Sequence, residues 1–205
     1  MLQTRTIEPG TLELLKKLMS IPFLDSFYLV GGTALALQFG HRMSIDIDLF
    51  TQDDFDNNHL IEILSKSFDI SIEFENKNMV ITYINNIKVD FVKMGYPILF
   101  EPLLIENIRM LDIRDIAAMK LKAIAQRGSK KDFFDIYFFL QQMKIESMLQ
   151  LFKRKFEQHE LFYIIKSLTY FNDAENDADP VLFDKDITWA KVKTLINEKV
   201  KNLVD

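Results

Sequence analysis

Apolar residues alternate along much of the first half of the chain and recur at helical spacing along the second. Residues 11–19 carry Leu12, Leu15 and Leu18 or Met19 at helical spacing, which predicts a short amphipathic helix ended by Pro22. Residues 27–30 are an apolar run leading into Gly31-Gly32, the pattern of a buried strand entering a tight turn. Residues 33–39, rich in Ala and Leu, predict a helix that starts right after the glycines and stops at Gly40. Residues 44–50 alternate strictly. Ile45, Ile47 and Leu49 are assigned to the core side, and Ser44, Asp46 and Asp48 to the other. Asp53 or Asp54 then caps a helix to about Phe68.

Three strands follow, at 70–75, 79–84 and 87–93, with turns at 76–78 and at Asn85-Asn86, whose side chains tolerate positive φ. The simplest topology is an antiparallel meander. Past Pro97 and Pro102 the pattern turns helical. Residues 113–127 show an apolar stripe of Ile113, Ala117, Leu121 and Ile124, closed by Gly128. Ser129 is expected to cap a helix over 130–143, with further helices at 145–156, 160–170 and 188–203 and an acidic, mobile loop at 172–180. Strands first and helices second predict an α+β fold: a mixed sheet with flanking helices, then a helical C-terminal half. The expected division is a core over residues 1–105 and a helical domain over 106–205.

Composition narrows the chemistry. The chain has 205 residues and no Cys, which excludes a disulfide framework, a thiolate zinc site and a cysteine nucleophile. His41, His59 and His159 form no metal-binding spacing, so zinc is not expected. The first residues have no signal-peptide core, and the longest uncharged stretch, 26–40, is too short to span a bilayer. A soluble, cytoplasmic protein is expected, with no membrane partner. A net charge of −5 excludes a globally basic nucleic-acid binder but leaves room for a local basic face. From residue 109 to 131 seven basic residues stand against two acids, leaving Lys122, Lys130 and Lys131 as expected contacts for backbone phosphates. Lys153-Arg154-Lys155 reads as a solvated helix face. Between 171 and 186 six acids stand against one lysine, a stretch expected to repel nucleic acid.

The chemistry centres on carboxylates. Asp46 and Asp48 share one side of a strand, about 7 Å apart along it, at the rim of a core. Two such acids repel, and a divalent cation removes the repulsion; Mg²⁺ prefers one or two carboxylates plus phosphate oxygens. Asp90 is a third acid in an apolar strand, with Lys88 and Lys93 as nearby counter-charges. Gly31, Gly32 and Thr33 lie between strand and helix, where backbone can approach a phosphate at a helix N-terminus. Lys120 and Arg127, seven residues apart, lie roughly 20° apart around a helix axis and suit a triphosphate. Asp132 and Asp135 are i,i+3 neighbours on the next helix, where Asp135 would pair with Arg127, Lys131 or Lys120. His41-Arg42 reads equally as a nucleotide contact or a loop-packing pair.

In order, Val30-Gly31-Gly32, Asp46-Ile47-Asp48-Leu49 and Val89-Asp90-Phe91 resemble the motif set of the nucleotidyltransferase superfamily, the fold of DNA polymerase beta. The stretches GGTALALQFGHRMSIDIDLF (31–50) and MKLKAIAQRGSKKDFFDIYFFL (119–140) are similar to the AbiEii/AbiGii family of bacterial nucleotidyltransferase toxins. The resemblance implies Mg²⁺ (or Mn²⁺) on Asp46, Asp48 and Asp90. It implies NTP binding through Gly31, Gly32, Thr33, Ser44, Lys120, Arg127 and Asp135, with Lys120 and Asp135 in functional positions and the helical domain completing the nucleotide site. It further implies transfer of NMP from an NTP to a hydroxyl acceptor, RNA and above all tRNA, and a toxin with an antitoxin partner. A small-molecule nucleotidyltransferase of the aminoglycoside-modifying kind and a catalytically silent nucleotide-binding scaffold are the alternatives.

Overall fold

A computed structural model describes residues 1–203. The last two residues of the 106–205 stretch lie outside the described residues. The chain divides into two units, Met1–Gly40 with Ser44–Asp112, and His41–Met43 with the chain from Ile113 onward. The division falls beyond residue 105 because residues 103–110 form a hairpin of the first unit's sheet.

The first unit holds a seven-stranded mixed sheet. Its strands are β1 (Tyr28–Leu29), β2 (Ile47–Thr51), β3 (Ile70–Asn76), β4 (Met79–Ile84), β5 (Ile87–Lys93), β6 (Leu103–Ile105) and β7 (Ile108–Met110). The spatial order is β3-β4-β5-β2-β1-β7-β6. The pairs β2–β5 and β1–β7 are parallel and the others antiparallel. The meander β3–β4–β5 is present, and Asn85 and Asn86 take φ of 52° and 66°, as their hairpin requires. Helices α1 (Pro9–Met19), α2 (Gly31–Phe39) and α3 (Asn57–Ser65) belong to this unit. Gly40 ends α2 at φ 72°, a left-handed C-terminal stop. The core is built from Leu29, Ile47, Leu49, Val89 and Phe91, all essentially inaccessible, with Phe27 set edge-on to Phe91 at 5.9 Å.

Four expectations fail in this unit, each for a local reason. Helices were expected past Pro102, but β6 and β7 form a hairpin there. Glu106 and Asn107 supply the positive φ values (52° and 63°), and the strands are too short to show alternation. The cap of α3 is Asp56, whose carboxylate accepts from the N–H groups of Asn58 and His59, rather than Asp53 or Asp54. The strand at 44–50 begins only at Ile47. Ile45, expected in the core, is 61% exposed, because the Ser44 N–H donates to Thr6 and the segment before Ile47 is held outside the ladder.

The second unit is helical: α4 (Ile113–Arg127), α5 (Lys130–Leu140), α6 (Ile145–Phe156), α7 (Phe162–Leu168) and α8 (Trp189–Lys201). Helices α5 and α7 are shorter than the stretches 130–143 and 160–170 predicted for them. Gly128, at φ 57°, follows α4. Trp189 closes the core, edge-on to Phe133 and Phe171 and stacked on Phe134. The segment His41–Met43 joins this unit by main-chain bonds: the Met43 N–H donates to Val181 and the Phe183 N–H to His41. The acidic stretch, expected as a mobile loop, is tied down. Lys130 is buried, its ammonium reaches the Glu175 and Asp177 carbonyls and pairs with Asp179 (3.2 Å), and its N–H donates to Asp177 Oδ2. Lys155, expected on a solvated face, is inaccessible and paired with equally buried Asp115 at 2.5 Å.

Candidate active site

In the first unit the polar side of the sheet presents the acids. Burying Ile47 and Leu49 from β2, and Val89 and Phe91 from β5, turns Asp48 and Asp90 to the opposite side of the sheet by two-residue periodicity. The parallel register sets Asp48 directly beside Asp90, so their Cα atoms are about one strand spacing apart, roughly 4.8 Å. Asp90 Oδ1 is buried without a hydrogen-bond partner. Lys88 Nζ stands 3.6 Å away, an ion-pair distance too long for a hydrogen bond. Burial pushes the Asp90 carboxyl up, Lys88 opposes the rise, and the charges of Asp46 and Glu73 add to it.

Gly31 shapes this side. It lies at φ 67°, and a Cβ there would collide with the Asp48 carboxylate. The turn therefore needs glycine both for its backbone and for the room it leaves to an acid. The Val30 N–H donates to the Asp48 carbonyl, fixing the start of α2 against β2. The buried Thr33 hydroxyl donates to the Asp46 carbonyl and shares a 2.9 Å hydrogen bond with the Ser44 hydroxyl. Both hydroxyls are thus engaged in holding the segment that carries Asp46. Gly32 is the second residue of the same helix.

These residues fit a divalent ion in a specific way. Among the described residues no group of three or more His, Asp or Glu is gathered as a ready metal cage. An adjacent carboxylate pair with an orphaned oxygen is instead a partial ligand set, which suits Mg²⁺ bound together with phosphate oxygens.

The second unit gathers its charges around two buried aspartates on α5. Asp135 accepts from His41 Nε2 (2.8 Å) and from Arg42 Nε (2.7 Å) and Nη2 (3.0 Å), and pairs with Lys120 Nζ at 2.6 Å. Asp132 accepts from Lys120 (2.8 Å) and from Arg127 Nε (2.7 Å) and Nη2 (3.0 Å). Lys120 and Arg127 do share a face, and they meet on one carboxylate. Burial disfavours the Asp135 anion, yet Arg42, Lys120 and the hydrogen bonds from His41 and Arg42 hold its carboxyl well below the usual range. Asp132 is lowered likewise, with Lys120 and Arg127 outweighing burial. Burial also works against the Lys120 ammonium, but Asp135 and Asp132 prevail and raise its pKa. The Arg127 side chain is 57% exposed, while those of Lys120, Asp132 and Asp135 are buried.

Sequence reasoning left two parts of this network open. Of the three cations offered for Asp135, Lys120 forms a pair, while Arg127 goes to Asp132. Arg42 and His41 were not set against Asp135, because the segment that carries them is more than ninety residues away in the chain. The basic run is largely spent on structure. Arg109 donates to the carbonyls of Met19 and Leu24, Lys130 is buried, and Lys122 lies 4.4 Å from the Phe156 ring centre. The expectation that Lys130 is available to nucleic acid is thereby overturned, and Lys131 remains on the exposed side of α5.

Residues 13–200 match the model of the nucleotidyl transferase AbiEii toxin family, assigned to type IV toxin–antitoxin systems. The chain belongs to this family. It is accordingly a nucleotidyltransferase toxin of that type, and enzymes of this family use divalent metal ions. An uncharacterised protein of Aquifex aeolicus is 34% identical over 98% of this chain and 99% of its own length. Among solved structures, the nucleotidyltransferase toxin MenT4 of Mycobacterium tuberculosis superposes with a TM-score of 0.63 at 14% identity, covering 94% of this chain and 83% of its own. JHP933 of Helicobacter pylori gives 0.54 at 22% identity, over 97% and 96%. These likenesses show the fold. No described helix is long and apolar enough to cross a membrane.

Proposed function

We infer that the chain transfers a nucleoside monophosphate from an NTP to a hydroxyl on RNA, with tRNA the foremost acceptor, releasing pyrophosphate. The observation that carries the reading is the Asp48–Asp90 register pair, with the Asp48 carboxylate seated against Gly31 and Asp90 Oδ1 left without a hydrogen bond.

Asp46, Asp48 and Asp90 would hold Mg²⁺, with Mn²⁺ able to replace it, and the ion supplies charge neutralisation at the phosphoryl oxygens. Thr33 and Ser44 fix the Asp46 segment through their hydroxyls, and the N–H groups at the start of α2, at Gly31, Gly32 and Thr33, offer donors to phosphate. In the second unit Arg127 carries the exposed guanidinium and is assigned to neutralise the triphosphate. Lys120 and Asp135, buried in the same network, act as positioning residues for it through Asp132. The toxin family supports an RNA acceptor and an antitoxin as the partner that counters the activity. The exposed Lys131 is the cation of the basic run assigned to RNA phosphates.

The test is incubation with each α-labelled NTP, Mg²⁺ and total cellular RNA, followed by gel separation. Label entering the tRNA band is expected. Label entering only protein or a small molecule contradicts the acceptor, and no labelled product with any NTP contradicts the reaction.

A further inference from the structure

Lys88 has no role in the reading above, yet it stands among the acids. It lies two residues before Asp90 on β5, on the same side of the strand, and its side chain is about a third exposed. The β2–β5 ladder opens at the Ile47–Val89 pair, so Lys88 lies one residue before its first pair, at the point where the segment carrying Asp46 enters the sheet. On its other side Tyr83 of β4 is the register partner, and Ser71 of β3 lies beyond it. Glu73 sits where the β3–β4 register shifts, between Ile72 and Phe74. Asp90, Asp46, Glu73 and Asp48 all favour the Lys88 ammonium, in that order, and together they outweigh its burial. The ion pair with Asp90, at 3.6 Å, leaves Asp90 Oδ1 engaged by charge but without a hydrogen bond.

We propose that Lys88 is the resident counter-ion of this carboxylate face, competing with a divalent cation for Asp90 and so setting how tightly that cation binds. A flexible monovalent ammonium can leave the carboxylate when a smaller divalent ion arrives, and until then it limits repulsion among Asp46, Asp48 and Asp90. The inference rests on the metal assignment made above. It concerns occupancy of the face rather than transfer.

The experiment is titration of the full chain with Mn²⁺, followed by electron paramagnetic resonance, with thermal melts in chelator and in saturating Mn²⁺. Lys88→Met should tighten Mn²⁺ binding about tenfold, because the competing charge is gone. It should also melt lower than wild type in chelator and show the larger rise on adding Mn²⁺. Lys88→Arg, which keeps the charge, should stay near wild type. Should Lys88→Met not fold, Lys88→Gln carries the same expectations. Affinity unchanged or weakened in the neutral variants overturns the proposal while leaving the metal site intact. Wild type that binds no Mn²⁺, or binding that persists undiminished in Asp48→Asn, overturns the metal assignment itself and this inference with it.

Discussion

The carboxylate of Asp48 occupies the space that a side chain at residue 31 would need. A turn glycine and a strand aspartate, close neighbours in space although separated in sequence, therefore form one device. Gly31→Ala strains a backbone at φ 67° and pushes on the carboxylate. The left-handed conformation alone costs about 1–2 kcal/mol. Label transfer should fall at least about tenfold, the equivalent of ~1.4 kcal/mol in the barrier, because Asp48 is displaced. Single-turnover transfer and a thermal melt check this, and full transfer would show that the contact has no part in the chemistry.

Lys120 and Arg127 should separate cleanly. Lys120→Met removes a buried cation from between two buried carboxylates, a change of the kind that costs about 3–5 kcal/mol. Arg127→Ala removes a side chain that is more than half exposed but donates two hydrogen bonds to buried Asp132, which keeps Lys120, so its melt should fall less than that of Lys120→Met while the apparent NTP affinity drops about tenfold. Isothermal titration with a non-hydrolysable NTP reads the second, and an unchanged affinity returns Arg127 to a purely structural part.

The Asp132–Asp135 network predicts a pH signature. Both carboxyls lie lower in the fold than in the unfolded chain, so their stabilisation is fully present above the unfolded value near pH 4 and is lost as pH falls through the depressed folded values. Asp135→Asn should therefore melt well below wild type at neutral pH, with the gap narrowing as the pH drops below about 4. A gap independent of pH down to the point of acid unfolding would mean that the ionised carboxylate is not what the second unit uses.

Charge reversals on α5 discriminate surface from structure. Lys130→Glu should destabilise the second unit, since the buried ammonium serves the Glu175 and Asp177 carbonyls and Asp179. Lys131→Glu should leave the melt near wild type and reduce RNA labelling, with NTP binding little changed. RNA labelling that survives at full level places the acceptor elsewhere.

How much of this was legible beforehand follows from the range of each signal. The Asn85-Asn86 hairpin, the Gly40 stop and the outward turn of Asp48 and Asp90 depend on a few adjacent residues, and their local chemistry shows in the sequence. The β6–β7 hairpin did not show, because three-residue strands carry no period and its turn uses Glu106 where asparagine or glycine is usual. Ile45 misled because alternation continues past the point where the ladder ends at Ile47. Lys120 and Arg127 could be placed on one face by helical spacing, but that Arg42 and His41 complete the ring around Asp135 is a long-range fact. Lys130 and Lys155 look like surface cations in sequence, and only the fold shows which carboxylates and carbonyls they serve.

The central claim, that the carboxylate pair on β2 and β5 carries a divalent-metal-dependent transfer, is tested most directly by one comparison. Wild type, Asp48→Asn and Asp90→Asn are each incubated with α-labelled NTP and tRNA, in Mg²⁺ and in chelator, with circular dichroism confirming the fold of each. Label in wild type with Mg²⁺ alone, and loss of about a hundredfold or more in both variants with the fold retained, is the expected result. Transfer that persists in chelator, or at wild-type rate in either folded variant, would contradict it.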